Sequence, residues 1–188
     1  MSYALTFYQG SLDAIAANFR APNTRFYESL LPPFRQMYAG VHGEDIGATL
    51  TEAMRTIFTS MQNPPRPGPL SVEAAIAAGI ISQGTELGSL PHSSSGGEAF
   101  REDFLGGVAA EIVGESRLEE YLTRRPLFGF RPKDYPGWGY LLKAELAKGG
   151  VQQAGNIDDA DMRAWLKDFL PIFNQARESG QDLLTVYR

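Results

Sequence analysis

The chain has 188 residues, with 17 basic and 22 acidic side chains, a formal net charge of −5, two histidines and no cysteine. The lack of cysteine excludes thiolate nucleophiles, disulfides and cysteine-ligated metal sites, and the mild acidity provides no basic surface for a nucleic-acid backbone. The length predicts one domain over residues 1–188.

The first predicted element is a β-strand over Tyr3–Tyr8, which is rich in aromatic and β-favouring residues and stops at Gly10. A second strand is predicted at the other end of the chain, over Leu183–Tyr187, after the turn residues 180–182. Because pairing holds down termini that otherwise fray, we expect the two strands to join in one sheet. Between them the apolar residues recur at helical spacing. The sequence therefore predicts a mostly helical α+β domain with a small sheet formed by its terminal strands.

Helices are predicted for most of the intervening chain, over residues 11–19, 25–31, 44–61, 71–81, 98–113, 116–122, 140–148 and 158–178. Ser11 is the expected N-cap of the first, and Ser116 with Glu119 has the spacing of a capping box. Pro171 is expected to kink the last helix. The proline-rich segment Asn63–Pro69 is interpreted as a surface crossover rather than a domain linker or an SH3-type ligand, and Gly84–Gly97 as a mobile loop.

The N-terminus has no basic region followed by an apolar core, so no signal peptide is expected. The longest run of small apolar residues, Ala74–Ile81, is far shorter than the ~18 residues of a membrane span. The sequence thus predicts a cytoplasmic protein that does not enter the membrane.

Both histidines fall in stretches that are predicted to be loops. His42 precedes the predicted helix over residues 44–61, and His92 is followed by Ser93–Ser95. A functional interpretation makes His92 a general base for a neighbouring hydroxyl; the simpler one makes it an exposed loop residue. The simpler interpretation is favoured, because neither Gly-x-Ser-x-Gly nor Ser-x-x-Lys occurs in the sequence.

Motifs for metal ions and nucleotides are missing from the sequence. Asp158-Asp159-Ala160-Asp161 groups three carboxylates, but it lacks the glycine and glutamate of a calcium-binding EF-hand loop. These acids are better explained by the start of a helix, whose dipole favours negative charge. Neither a P-loop nor Gly-x-Gly-x-x-Gly occurs. No cofactor is therefore expected.

The most unusual segment covers residues 127–140 and holds five aromatic side chains among glycines and prolines. One interpretation is a recognition loop, with Tyr135 and Trp138 as anchors and Arg131 as their polar partner, since such residues dominate interface energetics. The other is a loop packed by its own side chains over the core. Both interpretations remain open. The candidate binding residues are Phe130, Arg131, Tyr135, Trp138 and Tyr140, together with His92.

Three stretches, Met1–Thr6, Asp134–Leu141 and Ala176–Tyr187, together resemble a family of small bacterial proteins that is described only as a domain of unknown function. That family combines a short N-terminal strand, an Asp-aromatic-Pro-x-x-Gly turn and a C-terminal helix that runs into a strand. The resemblance covers most of the chain in order, apart from residues 64–97. It implies bacterial origin, a cytoplasmic location and one helix-rich α+β domain. It implies no activity, so no catalytic residue is carried over.

Two hypotheses follow from the sequence. The first is a non-catalytic cytoplasmic domain that binds a partner protein or a ligand through the loop Phe128–Tyr140. The second is a small hydrolase-like enzyme that uses His92 or His42 with nearby hydroxyl or carboxylate groups. An enzyme requires a histidine in a concave pocket, within hydrogen-bonding reach of a second polar group. Nucleic-acid binding is disfavoured by the charge, and the oligomeric state is left open.

Overall fold

The computed structural model describes residues 2–20, 79–127, 137–150 and 157–187. Several predicted features lie outside these residues: the helices over 25–31 and 44–61, the segment Asn63–Pro69, most of the helix over 71–81, and His42. Three of the candidate binding residues, Phe130, Arg131 and Tyr135, also lie outside them.

In the part of the chain that the structure describes, four antiparallel strands form one sheet, in the order β2-β1-β4-β3. They are β1 (Ser2–Gly10), β2 (Thr85–Ser93), β3 (Gly137–Leu141) and β4 (Asp182–Tyr187). Strands β1 and β4 pair from Leu5 opposite Tyr187 to Gly10 opposite Asp182. The predicted α+β class and the predicted pairing of the terminal strands are therefore confirmed.

Strand β2 takes up most of the mobile loop that was predicted over Gly84–Gly97, and Ser94–Gly96 form a short 3-10 helix after it. It pairs with β1 from Ser93 opposite Ser2 to Thr85 opposite Gln9, with a register shift between Phe7 and Tyr8. The loop prediction is wrong because β1 pairs with eight of the nine residues of β2, and the backbone hydrogen bonds of this pairing outweigh the low strand propensity of glycine, proline and serine.

The longer helical elements of the described residues are α1 (Leu12–Arg20), a π-helix (Ala99–Ala109), α2 (Ala110–Val113), α3 (Leu118–Thr123), α4 (Lys143–Leu146) and α5 (Ala160–Ser179). As predicted, the Ser11 hydroxyl caps α1 by accepting a hydrogen bond from the Ala14 N–H at 3.2 Å. The predicted capping box at Ser116 is wrong, because Arg117 is the N-cap residue of α3 and its side chain makes no capping bond. No helix in the described parts of the chain is long and apolar enough to cross a membrane.

Residues 98–113 were predicted as one α-helix, but most of them form the π-helix. Its buried side chains are Phe100, Phe104, Leu105 and Ala109. They recur at intervals of four or five residues, which suits i→i+5 hydrogen bonding. Val108, next to Ala109, is only half-buried.

The helix predicted over residues 140–148 begins later than expected, at Lys143. Tyr140 and Leu141 belong instead to β3, where they pair with Leu184 and Leu183 of β4. Helical spacing assigned Tyr140 and Leu141 to the helix, but their pairing with β4 makes them strand residues.

A single carboxylate, that of Asp182 at the start of β4, joins two helices to the sheet. Its Oδ2 accepts a hydrogen bond from the Leu12 N–H and its Oδ1 accepts one from the Lys143 N–H, both at 2.8 Å. These are the first residues of α1 and α4, whose N–H groups have no partner within the helix. Asp182 itself is buried.

Strand β3 and helix α3 approach each other closely at Gly139. A Cβ atom on Gly139 would lie 2.1 Å from the backbone oxygen of Tyr121 and 2.5 Å from the carbonyl carbon of Leu122. Only glycine permits this contact. Apart from the glycine itself, no feature of the sequence predicts this close approach of β3 and α3.

Candidate functional site

The last part of the aromatic segment is a strand rather than a loop, which corrects the predicted loop Phe128–Tyr140 at that end. Trp138 lies in β3 opposite Val186 and is completely buried. Among the described residues its indole N–H has no hydrogen-bond partner. The backbone of Trp138 pairs with β4 on one side and forms a β-bridge to Arg124 on the other. Because its side chain is buried inside the fold, Trp138 cannot serve as an exposed interface anchor.

Tyr140 belongs to a cluster that ties α3, β3 and α4 together. The guanidinium of Arg125 lies between the rings of Tyr121 and Tyr140, 4.1 and 4.3 Å from their centroids. It also donates to both carboxylate oxygens of Glu145, at 2.7 and 2.9 Å. Glu145 accepts a further bond from the Leu142 N–H at 2.8 Å. These contacts give Tyr140 and Arg125 a structural role.

The Arg125–Glu145 pair should make stability depend on pH. Burial tends to raise the pKa of Glu145, but the hydrogen bonds from Arg125 and Leu142 and the charges of Arg125 and Lys148 outweigh it and lower that pKa. The folded state therefore holds fewer protons than the unfolded state at acidic pH. The stabilisation is complete above the ordinary carboxyl pKa and is lost as the pH falls through the lowered value.

We accordingly expect Glu145→Gln to reduce the free energy of unfolding by about 2 kcal/mol near neutral pH, with a smaller loss in acid. Urea denaturation of the wild type and variant at several pH values measures the difference. Glu120→Gln is the matched control, because the Arg117–Glu120 pair is more exposed and should contribute less to stability. An equal loss at neutral and acidic pH would contradict the expectation.

His92 lies on β2 opposite Tyr3 of β1, and only 6 % of its surface is exposed. Its ring stacks on Phe100 with the centroids 4.5 Å apart, and on Tyr3 at 5.9 Å. The pairing of β2 with β1 places the His92 ring beside Tyr3, and the π-helix places Phe100 against the same ring. The interpretation of His92 as an exposed loop residue is therefore wrong.

Both ring nitrogens of His92 have internal partners. Nδ1 lies 2.8 Å from the backbone oxygen of Ser93, and Nε2 lies 2.7 Å from the hydroxyl oxygen of Tyr187. A carbonyl oxygen only accepts, so Nδ1 carries the hydrogen, and the neutral ring accepts at Nε2 from the Tyr187 hydroxyl. Burial, the largest effect, lowers the pKa of His92, and the charge of Arg101 lowers it further. The hydrogen bond to Ser93 raises the pKa, but not enough to restore the ordinary value. The ring is therefore neutral at pH 7.

A cavity of about 290 Å³ opens beside His92, between the end of β2 and the start of α5; we name it the β2–α5 cavity. Its lining consists of Pro91, His92, Ser93, Gly96, Ala99, Asp159, Asp161, Met162 and Trp165. The indole N–H of Trp165 donates to the backbone oxygen of Pro91 at 3.2 Å, and this bond ties the helix wall to the strand wall. Asp159 caps α5 by accepting from the Met162 N–H at 2.9 Å.

The serine beside His92 does not form the base–hydroxyl pair of the hydrolase interpretation. The Ser93 hydroxyl accepts a hydrogen bond from the Gly96 N–H at 3.1 Å and lies 3.1 Å from the hydroxyl of Ser95. The hydroxyl that bonds to the His92 ring is that of Tyr187. His92 nonetheless meets the requirement for a catalytic histidine stated above, because it lines a cavity and lies within hydrogen-bonding reach of a second polar group.

A second recess of about 290 Å³ lies between the π-helix and α3, and charged side chains dominate its lining. Arg117 pairs with Glu120, and Arg124 with Glu119. Within the described ranges, no group of three histidine and carboxylate side chains could hold a metal ion. The β2–α5 cavity is thus the better candidate site.

Of the six residues predicted to bind, the structure places His92 in this cavity and Trp138 and Tyr140 elsewhere. Trp165, Met162 and Tyr187 were not among the predicted site residues. Asp159 and Asp161 were predicted only as acids that begin the last helix. No spacing in the sequence links Tyr187 to His92.

No protein-family model, no curated protein sequence and no solved structure matches the chain.

Proposed function

We propose that the protein is a non-catalytic cytoplasmic binding domain, which takes a small ligand or one side chain of a partner protein into the β2–α5 cavity. The observation that carries the proposal is the cavity itself, which combines an aromatic wall, a thioether and a few polar groups in one recess. Such a combination is typical of ligand sites, where apolar walls provide affinity and polar groups fix orientation.

The charges of the lining favour a ligand with a positive group. Asp159 and Asp161 supply two carboxylates, and the described lining contains no lysine or arginine. Trp165 adds an aromatic ring, which attracts an ammonium or guanidinium group placed over its face. A short amine, or a lysine side chain of a partner protein, combines that charge with an apolar chain for the walls formed by Met162 and Pro91.

The bonds of His92 support binding rather than catalysis. A general base must have a free lone pair directed at the proton that it removes. In the neutral ring, Nδ1 donates to Ser93 and the lone pair of Nε2 is used by Tyr187. The second candidate function, a hydrolase-like enzyme, is favoured by one observation: His92 lines the cavity with a hydroxyl partner.

Three probes of similar size and different charge test this proposal: butylammonium, butyrate and pentan-1-ol. We expect butylammonium to bind in the millimolar range, to shift the indole N–H resonance of Trp165 and to leave that of Trp138 unchanged. Asp161→Asn should weaken binding by about fivefold, because it removes one exposed charge interaction of roughly 1 kcal/mol. Asp168→Asn, on the same helix but outside the cavity lining, should not.

Each alternative outcome has a clear meaning. If none of the probes shifts Trp165, the cavity is not a ligand site and the proposal fails. If butyrate binds as tightly as butylammonium, the preference for a positive charge is wrong. Hydrolysis of a p-nitrophenyl ester that is lost in His92→Gln would favour the enzyme.

A further inference from the structure

The side-chain N–H groups that line the β2–α5 cavity are already used inside the protein. Nδ1–H of His92 donates to the backbone oxygen of Ser93 at 2.8 Å. The indole N–H of Trp165 donates to the backbone oxygen of Pro91 at 3.2 Å. The described lining holds no asparagine, glutamine, lysine or arginine that would add another N–H donor. A ligand that needs side-chain N–H donors therefore finds none unused among these residues.

The charged acceptors of the cavity are two carboxylates on α5. An ionised carboxylate only accepts hydrogen bonds, through two oxygens with about four lone-pair sites. Asp159 uses one oxygen to accept from the Met162 N–H at 2.9 Å. Its second oxygen and the exposed carboxylate of Asp161 can accept from a ligand. The cavity is thus suited to a ligand that carries hydrogen-bond donors as well as a positive charge.

The aromatic rings of the lining do not form a cage. The two rings belong to His92 and Trp165, and the ring of His92 is itself stacked on Phe100 and Tyr3, at 4.5 and 5.9 Å between centroids. A fully methylated ammonium has no N–H hydrogen, so proteins recognise it by surrounding it with several aromatic faces. The described lining offers such a group mainly one ring, that of Trp165.

From this arrangement we infer that the β2–α5 cavity selects its ligand by N–H hydrogens: it binds a primary alkylammonium group and discriminates against the same group when it is fully methylated. The carboxylates of Asp159 and Asp161 accept the N–H hydrogens, and the apolar walls contact the alkyl chain. Both forms of the group carry one positive charge, so charge alone does not separate them. A free aliphatic amine and an unmodified lysine side chain of a protein share this chemistry. The inference rests on the proposed function of the cavity as a ligand site.

Butylammonium and butyltrimethylammonium test the inference at pH 7, where both are positively charged. The Trp165 indole N–H resonance reports the binding of each probe. Butylammonium should bind about tenfold more tightly, because full methylation removes the hydrogen bonds to the carboxylates. Equal affinities, or tighter binding of butyltrimethylammonium, would overturn the inference and leave the cavity as a ligand site. Absence of binding by both probes would contradict the proposed function and the inference with it.

Two variants separate hydrogen bonding from a simple limit on ligand size. Asp161→Asn and Asp159→Ser each remove one carboxylate, and serine at position 159 keeps an N-cap oxygen for α5. In each variant the preference for butylammonium should fall from about tenfold to about threefold, since one of two charged acceptors is lost. Asp168→Asn, outside the cavity lining, should keep the full preference. A preference that stays unchanged in both variants would show selection by volume, and the inference would fail.

Nα-acetyl-lysine N-methylamide and its Nε-trimethyl form identify the source of the ammonium group. If the unmodified form binds about tenfold more tightly than the trimethyl form, the cavity admits a lysine side chain on a protein backbone. If neither form binds while the preference between the butyl probes holds, the ligand is a free amine. If the trimethyl form binds at least as tightly as the unmodified form, the inference is wrong.

Discussion

Replacing Gly139 by alanine is expected to destabilise the protein by about 3 kcal/mol, the upper end of the usual cost of overpacking. The new Cβ would lie 2.1 Å from the Tyr121 oxygen and 2.5 Å from the Leu122 carbonyl carbon. Both are backbone atoms, so no side-chain rotation relieves the overlap. Strand β3 cannot shift freely either, because Gly139 pairs with Thr185 of β4. Urea denaturation measures the loss as a lower transition midpoint.

Gly150→Ala is the matched control for this change. Within the described ranges, a Cβ on Gly150 meets no atom within 4 Å, so its effect on the free energy of unfolding should be within about 0.5 kcal/mol. If Gly139→Ala is tolerated as well as the control, helix α3 does not lie against β3 as described.

The second large effect is expected for Asp182→Ala, which should cost about 3 kcal/mol, since two hydrogen bonds to a buried carboxylate are lost. The N–H groups of Leu12 and Lys143 would remain without these acceptors at the starts of α1 and α4. Asp182→Asn, which retains one oxygen acceptor, should lie between the wild type and the alanine variant.

Amide hydrogen exchange separates this effect from a general loss of stability. The amides of Leu12 and Lys143 should lose protection more than those in the centre of β4. Asp159→Ala serves as the comparison, because it removes one N-cap bond at an exposed helix start and should cost only about 1 kcal/mol. Equal losses for the two variants would mean that Asp182 caps one helix at most.

The parts of the fold that were predicted correctly are those whose signal is local. The terminal strands stand out by composition, and α5 carries an apolar stripe with Asp159 at its N-cap position. The α+β class follows from these elements. Strand β2, by contrast, has a loop-like sequence and becomes a strand through residues far away in the chain, as where Leu90 pairs with Leu5.

The candidate site is less visible in the sequence for the same reason. Pro91 and Trp165, whose hydrogen bond joins the walls of the cavity, are 74 residues apart, and His92 and Tyr187 are 95 residues apart. No periodicity or motif connects positions so distant. The aromatic residues that did stand out include Trp138, which fills the interior. The described end of the aromatic segment thus belongs to the sheet, whereas the cavity is found only once the order of the strands is known.

The arrangement of the sheet also has a consequence for biosynthesis. Its two central strands are β1 and β4, the first and the last described elements of the chain. The ribosome synthesises β1 before β4. Leu5 and Phe7 therefore lack their β4 partners until nearly all of the described chain has been made. Such distant pairing slows folding and leaves an unpaired edge in the nascent chain. The sheet therefore closes only after translation has passed Tyr187, and chaperones that shield apolar strands have their main opportunity before that point.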